Sequence, residues 1–244
     1  MKMDVLALFP EIIAPALQTG ILKRIQDADR LSINVYNLRD WATDKHKTVD
    51  DYPYGGGAGM ILKPEPLFAA VAALNTESDA QIVYLTPQGT PLTQSLVEAL
   101  SLESHLILIC GRYKGIDERV RQKVVTTEIS IGDYVLSGGE IAALVLIDAI
   151  GRVLPGALGD FESAHEDSFS QDLLDHPHYT RPAEYEGMEV PEVLLSGHHE
   201  KIKKWRHAEA LKRTAQRRPD LLKNLELTDE ELALLQTSEN KVSC

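Results

Sequence analysis

Cysteine is nearly absent from this chain, with two in 244 residues, Cys110 and Cys244. They lie far apart and no CxxC pair occurs, which excludes a disulfide framework and a thiolate zinc site and suits a reducing cytosol. Cys110 closes the apolar run LILIC and reads as a buried thiol. No apolar run approaches the length of a membrane span. The start, MKMDVLALFPEII, has no long apolar core and carries Asp4, Pro10 and Glu11, so no signal peptide is expected. Excess positive charge is missing too. A formal net charge of −12 argues against a general nucleic-acid coat protein. Neither GxxxxGK[ST] nor GxGxxG occurs, which removes the two common phosphate-cradling loops.

What is present is a chain that is 43% hydrophobic, enough to bury a real core. MDVLALF, LSINVYNL, QIVYL, HLILIC and TTEISI read as strands. PEIIAPALQTG with ILKRIQDADR, PEPLFAAVAALN, LTQSLVEAL (capped by Thr93), IDERVRQKV and residues 140–153 read as helices. DDYPYGGGAGM, residues 50–60, is a glycine-rich loop. Strand and helix in this alternation predict an α/β fold with a mostly parallel sheet.

Composition shifts near Gly156. From Asp160 to Val193 ten acidic residues face one Arg, a local charge of −9, and the helical period is lost. From Ser196 to Arg218 eight Lys/Arg oppose two Glu, giving +6. The reading is three parts: a cofactor-binding domain over 1–159, an acidic and partly disordered linker over 160–178, and a small helical domain over 179–244. TDEELALLQT supplies a last helix with Thr228 as cap and a Glu three residues on. At about 100° per residue, Lys203, Arg206, Arg213 and Arg217 share one side of the basic helix, and Ile202, Trp205, Ala208 and Ala215 an adjoining face that can pack.

Three turns at strand ends carry the chemistry: YLTPQG (84–89), CGRYKG (110–115) and IGDYVLSGG (131–139). Ligands of a parallel sheet sit beyond the carboxyl ends of its strands. Gly-rich turns there suggest a pocket lined by main chain. Asp133 and Glu140 would repel an anion, so a neutral or cationic ligand fits better, such as an adenosyl group joined to a sulfonium. HPH (His176, His178) and HH (His198, His199) have no HExxH or Cys partner, so packing or RNA contact is preferred to zinc.

These segments, with GRVLPG, EDSF, LLDHPHYTRP, YPYGGGAGM and IKKWRHAEALKRTAQRRPDLL, resemble bacterial tRNA (guanine-37-N1)-methyltransferases, members of the SPOUT superfamily, in the same order from Met3 to about Leu222. The resemblance implies a sheet tied in a deep trefoil knot that binds S-adenosylmethionine. It also implies a homodimer whose active sites draw on both chains, and methylation of N1 of guanosine 37 in cytoplasmic tRNA. By analogy Tyr84, Leu85, Thr86, Pro87, Gly111, Tyr113, Ile131, Gly132, Asp133, Tyr134, Val135, Leu136, Gly138 and Gly139 bind the donor. Asp167 removes the N1 proton, and Arg152 stabilises charge developing on guanine O6. Magnesium is a further candidate cofactor, although no motif marks a site for it.

One departure stands out. The family usually reads GRYEGIDER, and this chain has Lys114 at the Glu position. Two readings stay open at this point: weaker donor binding, or a lysine that points to solvent or toward tRNA. Two rivals from other classes also remain: a nucleotide-dependent enzyme on an ordinary doubly wound sheet, and an RNA-binding module without catalysis.

Overall fold

The computed structural model describes residues 1–76, 79–157, 167–169 and 172–242. It divides into two compact units, Met1–Gly159 and Asp160–Cys244. Within the acidic linker, the disorder expected of residues 160–166, 170 and 171 lies outside the described residues.

The first unit is built on one five-stranded sheet. Its strands are β1 (Lys2–Ala7), β2 (Ser32–Asn37), β5 (Gln81–Pro91), β6 (His105–Cys110) and β7 (Thr127–Ser130), in the order β2-β1-β6-β5-β7 and all parallel. β3 (Asp50–Asp51) and β4 (Ile61–Leu62) form a small antiparallel pair beside it. The helices are α1 (Pro10–Ile13), α2 (Gly20–Asp27), α3 (Pro64–Leu74), α4 (Gln94–Ser101), α5 (Glu118–Lys123) and α6 (Glu140–Val153). Strand side chains alternate between two cores. Met3, Val5, Val83, Leu85, Leu106 and Leu108 face one cluster with α1, α2, α4 and α6. Leu6, Ile82, Tyr84, Ile107 and Ile109 face the other with α3 and α5. With both faces covered, the central strand β6 is buried at every position, as a parallel sheet requires.

Capping follows the sequence. Thr93 Oγ1 accepts from the Leu96 N–H at 3.3 Å and starts α4, and Asp117 accepts from Arg119 to start α5. One element departs from expectation. β5 does not stop at Leu85 but continues through TPQG to Pro91, with its register against β7 slipping between Leu85 and Thr90. TPQG is therefore an irregular stretch inside a strand, and the slip lets side chains leave the sheet's alternation.

The second unit holds a hairpin of β8 (Glu184–Tyr185) and β9 (Met188–Glu189), then α7 (Glu192–Leu195), α8 (His199–Arg217) and α9 (Asp229–Val242). The hairpin was not foreseen in a region read as helical. Its core is small: Leu173, Ala210 and Leu211, flanked by Leu222, Leu225, Leu227, Leu234 and Leu235. The capping box expected at Thr228 is formed. Glu231 N–H donates to Thr228 Oγ1 at 3.3 Å, and the Thr228 N–H donates back to Glu231 Oε2 at 2.7 Å. Among the described residues, no helix is long and apolar enough to cross a membrane.

Candidate functional site

Because all five strands run one way, the carboxyl ends of β6 and β7 lie along one edge, beside the irregular stretch inside β5. A cavity of about 330 Å3 lies there, within the usual range for a small-ligand pocket. Its wall is residues 84–88, 111–115, 129–132 and 134–139, closed by Ala142 of α6. Thus Tyr84, Leu85, Thr86, Pro87, Gly111, Tyr113, Ile131, Gly132, Tyr134, Val135, Leu136, Gly138 and Gly139 are brought together. Asp133 is exposed and lies outside the lining. Gln88, Arg112, Gly115 and Ser137 sit within the quoted turns and also line the cavity, as do Ile129, Ser130 and Ala142. The signal for the first four was the turn itself: where backbone reverses around a space, most of its residues border that space.

The wall holds its shape through backbone pairing and close approach. The segment after β7 returns to lie against the turn after β6, where the Gly139 N–H donates to the Gly111 carbonyl at 2.8 Å and Arg112 bridges Gly138. A Cβ on Gly139 would stand 2.7 Å from Cys110 Cα, a backbone atom that cannot step aside. A Cβ on Gly111 would meet the Tyr84 ring at 2.8 Å. The loop's own bonds add rigidity, with Tyr134 Oη donating to the Ile131 carbonyl at 3.2 Å and the Tyr134 N–H to the Gly132 carbonyl at 2.9 Å. Tyr84 is buried, and that burial raises its phenol pKa, as it does for Cys110, whose thiol is pushed well up by burial and then by the nearby Glu140. Tyr113 is raised as well, by burial first and then by its hydrogen bond with Asp50.

The charges correct the sequence reading. The carboxylates expected to favour a sulfonium do not line the cavity. Glu140 opens α6 and turns inward, 1% exposed. Its Oε2 accepts from Arg112 Nη1 at 3.2 Å, and Oε1 has no hydrogen-bond partner among the described residues. Arg112 also lies over the Phe9 ring at 4.4 Å. The charged side chains on the wall are Arg112 and Lys114, both cationic. A helix N-terminus stabilises Glu140 from behind, so its charge serves the framework and is met by Arg112.

The remaining candidates fall each within its own unit. Arg152 is exposed in the last turn of α6, in the first unit. Asp167 is half-buried and belongs to the second unit. On α8 the packing face is Ala210, Leu211 and Thr214, while Ile202, Trp205, Ala208 and Ala215 are half-buried. Thr214 Oγ1 accepts from the Leu174 N–H at 2.9 Å, a tie the sequence did not suggest. Of the cationic side, Lys203 and Arg217 are exposed. Arg206 is half-buried, and Arg213 Nη1 donates to the Asp175 carbonyl at 3.3 Å. Asp175, His176 and His178 bring possible ligand atoms within 4.8 Å of one another. His178 Nε2 already sits 2.7 Å from Asp175 Oδ2, which gives this cluster a plain Asp–His pairing.

Comparison with known proteins accounts for most of the chain. The family model described as tRNA (Guanine-1)-methyltransferase TrmD matches residues 1–224. A tRNA (guanine-N(1)-)-methyltransferase of Dictyoglomus turgidum is 53% identical over 236 residues, covering 97% of this chain and 96% of that protein. Proteins of the same name from Brevibacillus brevis and Bacillus cereus are 55% and 53% identical, each covering at least 95% of this chain and 96% of the relative. With a match over residues 1–224 and relatives of 53–55% identity along nearly the whole chain, the chain belongs to the tRNA (guanine-1)-methyltransferase family.

Proposed function

We infer that this chain transfers a methyl group from S-adenosylmethionine to N1 of guanosine 37 in tRNA, beside the anticodon. The observation that carries the reading is a cavity walled by the turns after β6 and β7 and by the irregular stretch of β5, in a chain matched by this family over residues 1–224. The residues fit a nucleoside. Gly111 and Gly139 leave backbone bare where a Cβ would collide. Leu85, Ile131 and Leu136 offer apolar surface to a flat ring, and amides of 131–138 can meet an adenine edge. When bound, S-adenosylmethionine supplies the methyl group on a sulfonium. The chain's own part is positioning and proton handling. Guanine N1 carries a proton at neutral pH, and Asp167 is assigned to remove it, worth about a hundred- to ten-thousand-fold. Arg152 is assigned to the charge that develops on O6. Holding the reactants in line can supply more than either.

Several finer points belong to the same reading. A trefoil knot is supported by the return of segment 131–139 against the turn at 111–115 and by the family likeness. A homodimer is supported by exposed apolar residues on and next to the cavity wall, Val135 at 87% and Ile141 at 48%. The division into a donor-binding domain, an acidic linker over 160–178 and a tRNA-binding part over 179–244 is supported by the charge reversal along the chain. Magnesium is kept as an accessory ion without assigned ligands, and the expected compartment is the cytoplasm. The test is incubation with labelled donor and unmodified tRNA bearing G37. Label should enter the tRNA, and replacing G37 should abolish it. Undiminished labelling of the replaced tRNA would overturn the target.

A further inference from the structure

Two cations stand on the cavity wall, and they are not equivalent. Arg112 is spoken for by Glu140 at 3.2 Å. Lys114 has no carboxylate partner among the described residues. Its stem is nevertheless supported. A Cβ placed on Gly59 would stand 3.1 Å from Lys114 Cγ and 3.3 Å from Cε, so the methylenes lie along the bare Gly59 backbone. The Lys114 N–H donates to the Met60 carbonyl at 3.0 Å, and the turn is fixed between Tyr113 at φ 61° and Gly115 at φ 122°. A lysine whose stem rests on a surface delivers its ammonium to a defined rim. Among the described residues, no Asp or Glu side chain lines the cavity to balance it.

An unbalanced ammonium would repel a sulfonium unless the ligand brings its own anion. On the donor reading given above, the ligand has one: the carboxylate of its methionine portion. We propose that Lys114 binds that carboxylate, anchors the amino-acid end of the donor at the 113–115 turn, and so selects ligands that carry an amino acid over truncated thioadenosines. The inference deepens the donor-site reading and rests on it. It also gives Lys114 a favourable task at a position where a positive charge would otherwise weaken donor binding.

Calorimetry on the full chain separates the possibilities with two probes. S-adenosylhomocysteine keeps the amino-acid end, and methylthioadenosine has the same nucleoside and sulfur without it. Lys114→Ala should weaken S-adenosylhomocysteine by about fivefold, the upper range for an exposed charge pair, and leave methylthioadenosine unchanged. Lys114→Arg should recover part of the loss. Equal weakening of both probes, or no weakening of S-adenosylhomocysteine, overturns the assignment. That second outcome includes the case where only tRNA affinity falls and the ammonium serves a phosphate. If the unaltered protein binds neither probe, the donor-site reading itself falls, and this inference with it.

Discussion

On the proposed function, the cavity wall of the first unit and the cationic side of α8 in the second would work by opposite means. The wall recognises by what has been taken away: at Gly111 and Gly139 a missing side chain lets one stretch of backbone reach another. The helix works by what projects from it, charges such as Lys203 and Arg217. A site of bare backbone is broken by adding one methyl group and is indifferent to many changes of charge. A site of projecting charge has the reverse weakness. The two should therefore fail separately.

The largest effect is expected from Asp167→Asn. Turnover should fall about a hundred- to ten-thousand-fold, with S-adenosylhomocysteine affinity unchanged in calorimetry. Near-normal turnover would remove Asp167 as the base. Next is Gly139→Ala, which sets a methyl group 2.7 Å from Cys110 Cα. Overpacking of this kind costs about 1–3 kcal/mol; if that cost falls on the site, donor-product affinity should drop by about five- to 150-fold, while tRNA retention on a filter stays the same. Equal losses of both ligands would show that the two sites are not separable. Third, reversing Lys203 and Arg217 together should weaken tRNA binding and flatten its salt dependence by roughly two phosphate contacts, leaving donor affinity intact. These two replace the more obvious Arg213, because Arg213 supports the Asp175 carbonyl and its loss would disturb structure as well as charge.

The smallest effect concerns the second unit's own stability. The Glu231 carboxyl is held down at about 2, against an ordinary 4.5, by hydrogen bonds from His207 first and then from Thr228. Its contribution is fully present above the ordinary value and is lost as pH falls toward about 2. Glu231→Ala should therefore lower stability near neutral pH by on the order of 1 kcal/mol, after allowance for solvent screening. The gap from the parent should close progressively below pH 4.5 in thermal melts. A gap that persists undiminished into acid would assign the effect to packing instead.

Much of this was legible in the residues. Alternating apolar strands, the Thr93 and Thr228 caps and the bounds of α6 follow from local rules that act over a few residues. The turns at 110–115 and 131–139 could be seen as pocket walls because their glycines follow strands and let backbone approach closely. What could not be read was direction. Nothing local says that Glu140 turns inward to meet Arg112, since that pairing joins residues 28 apart. Nor does helical spacing alone reveal that α8 packs through Ala210, Leu211 and Thr214, because the face a helix buries is set by its partners. The roles of Asp167 and Arg152 came from family likeness alone, as one acid among ten in a stretch has no spacing to distinguish it.

Cys110 sits where the last strand residue meets Gly139, wholly buried, its thiol held protonated by its surroundings. In that condition it is a poor nucleophile, shielded from alkylating reagents and peroxides for as long as the two glycine turns stay closed over it. Its thiol lies in the core that α6 covers, so its reactivity toward such reagents is a gauge of how often that core opens.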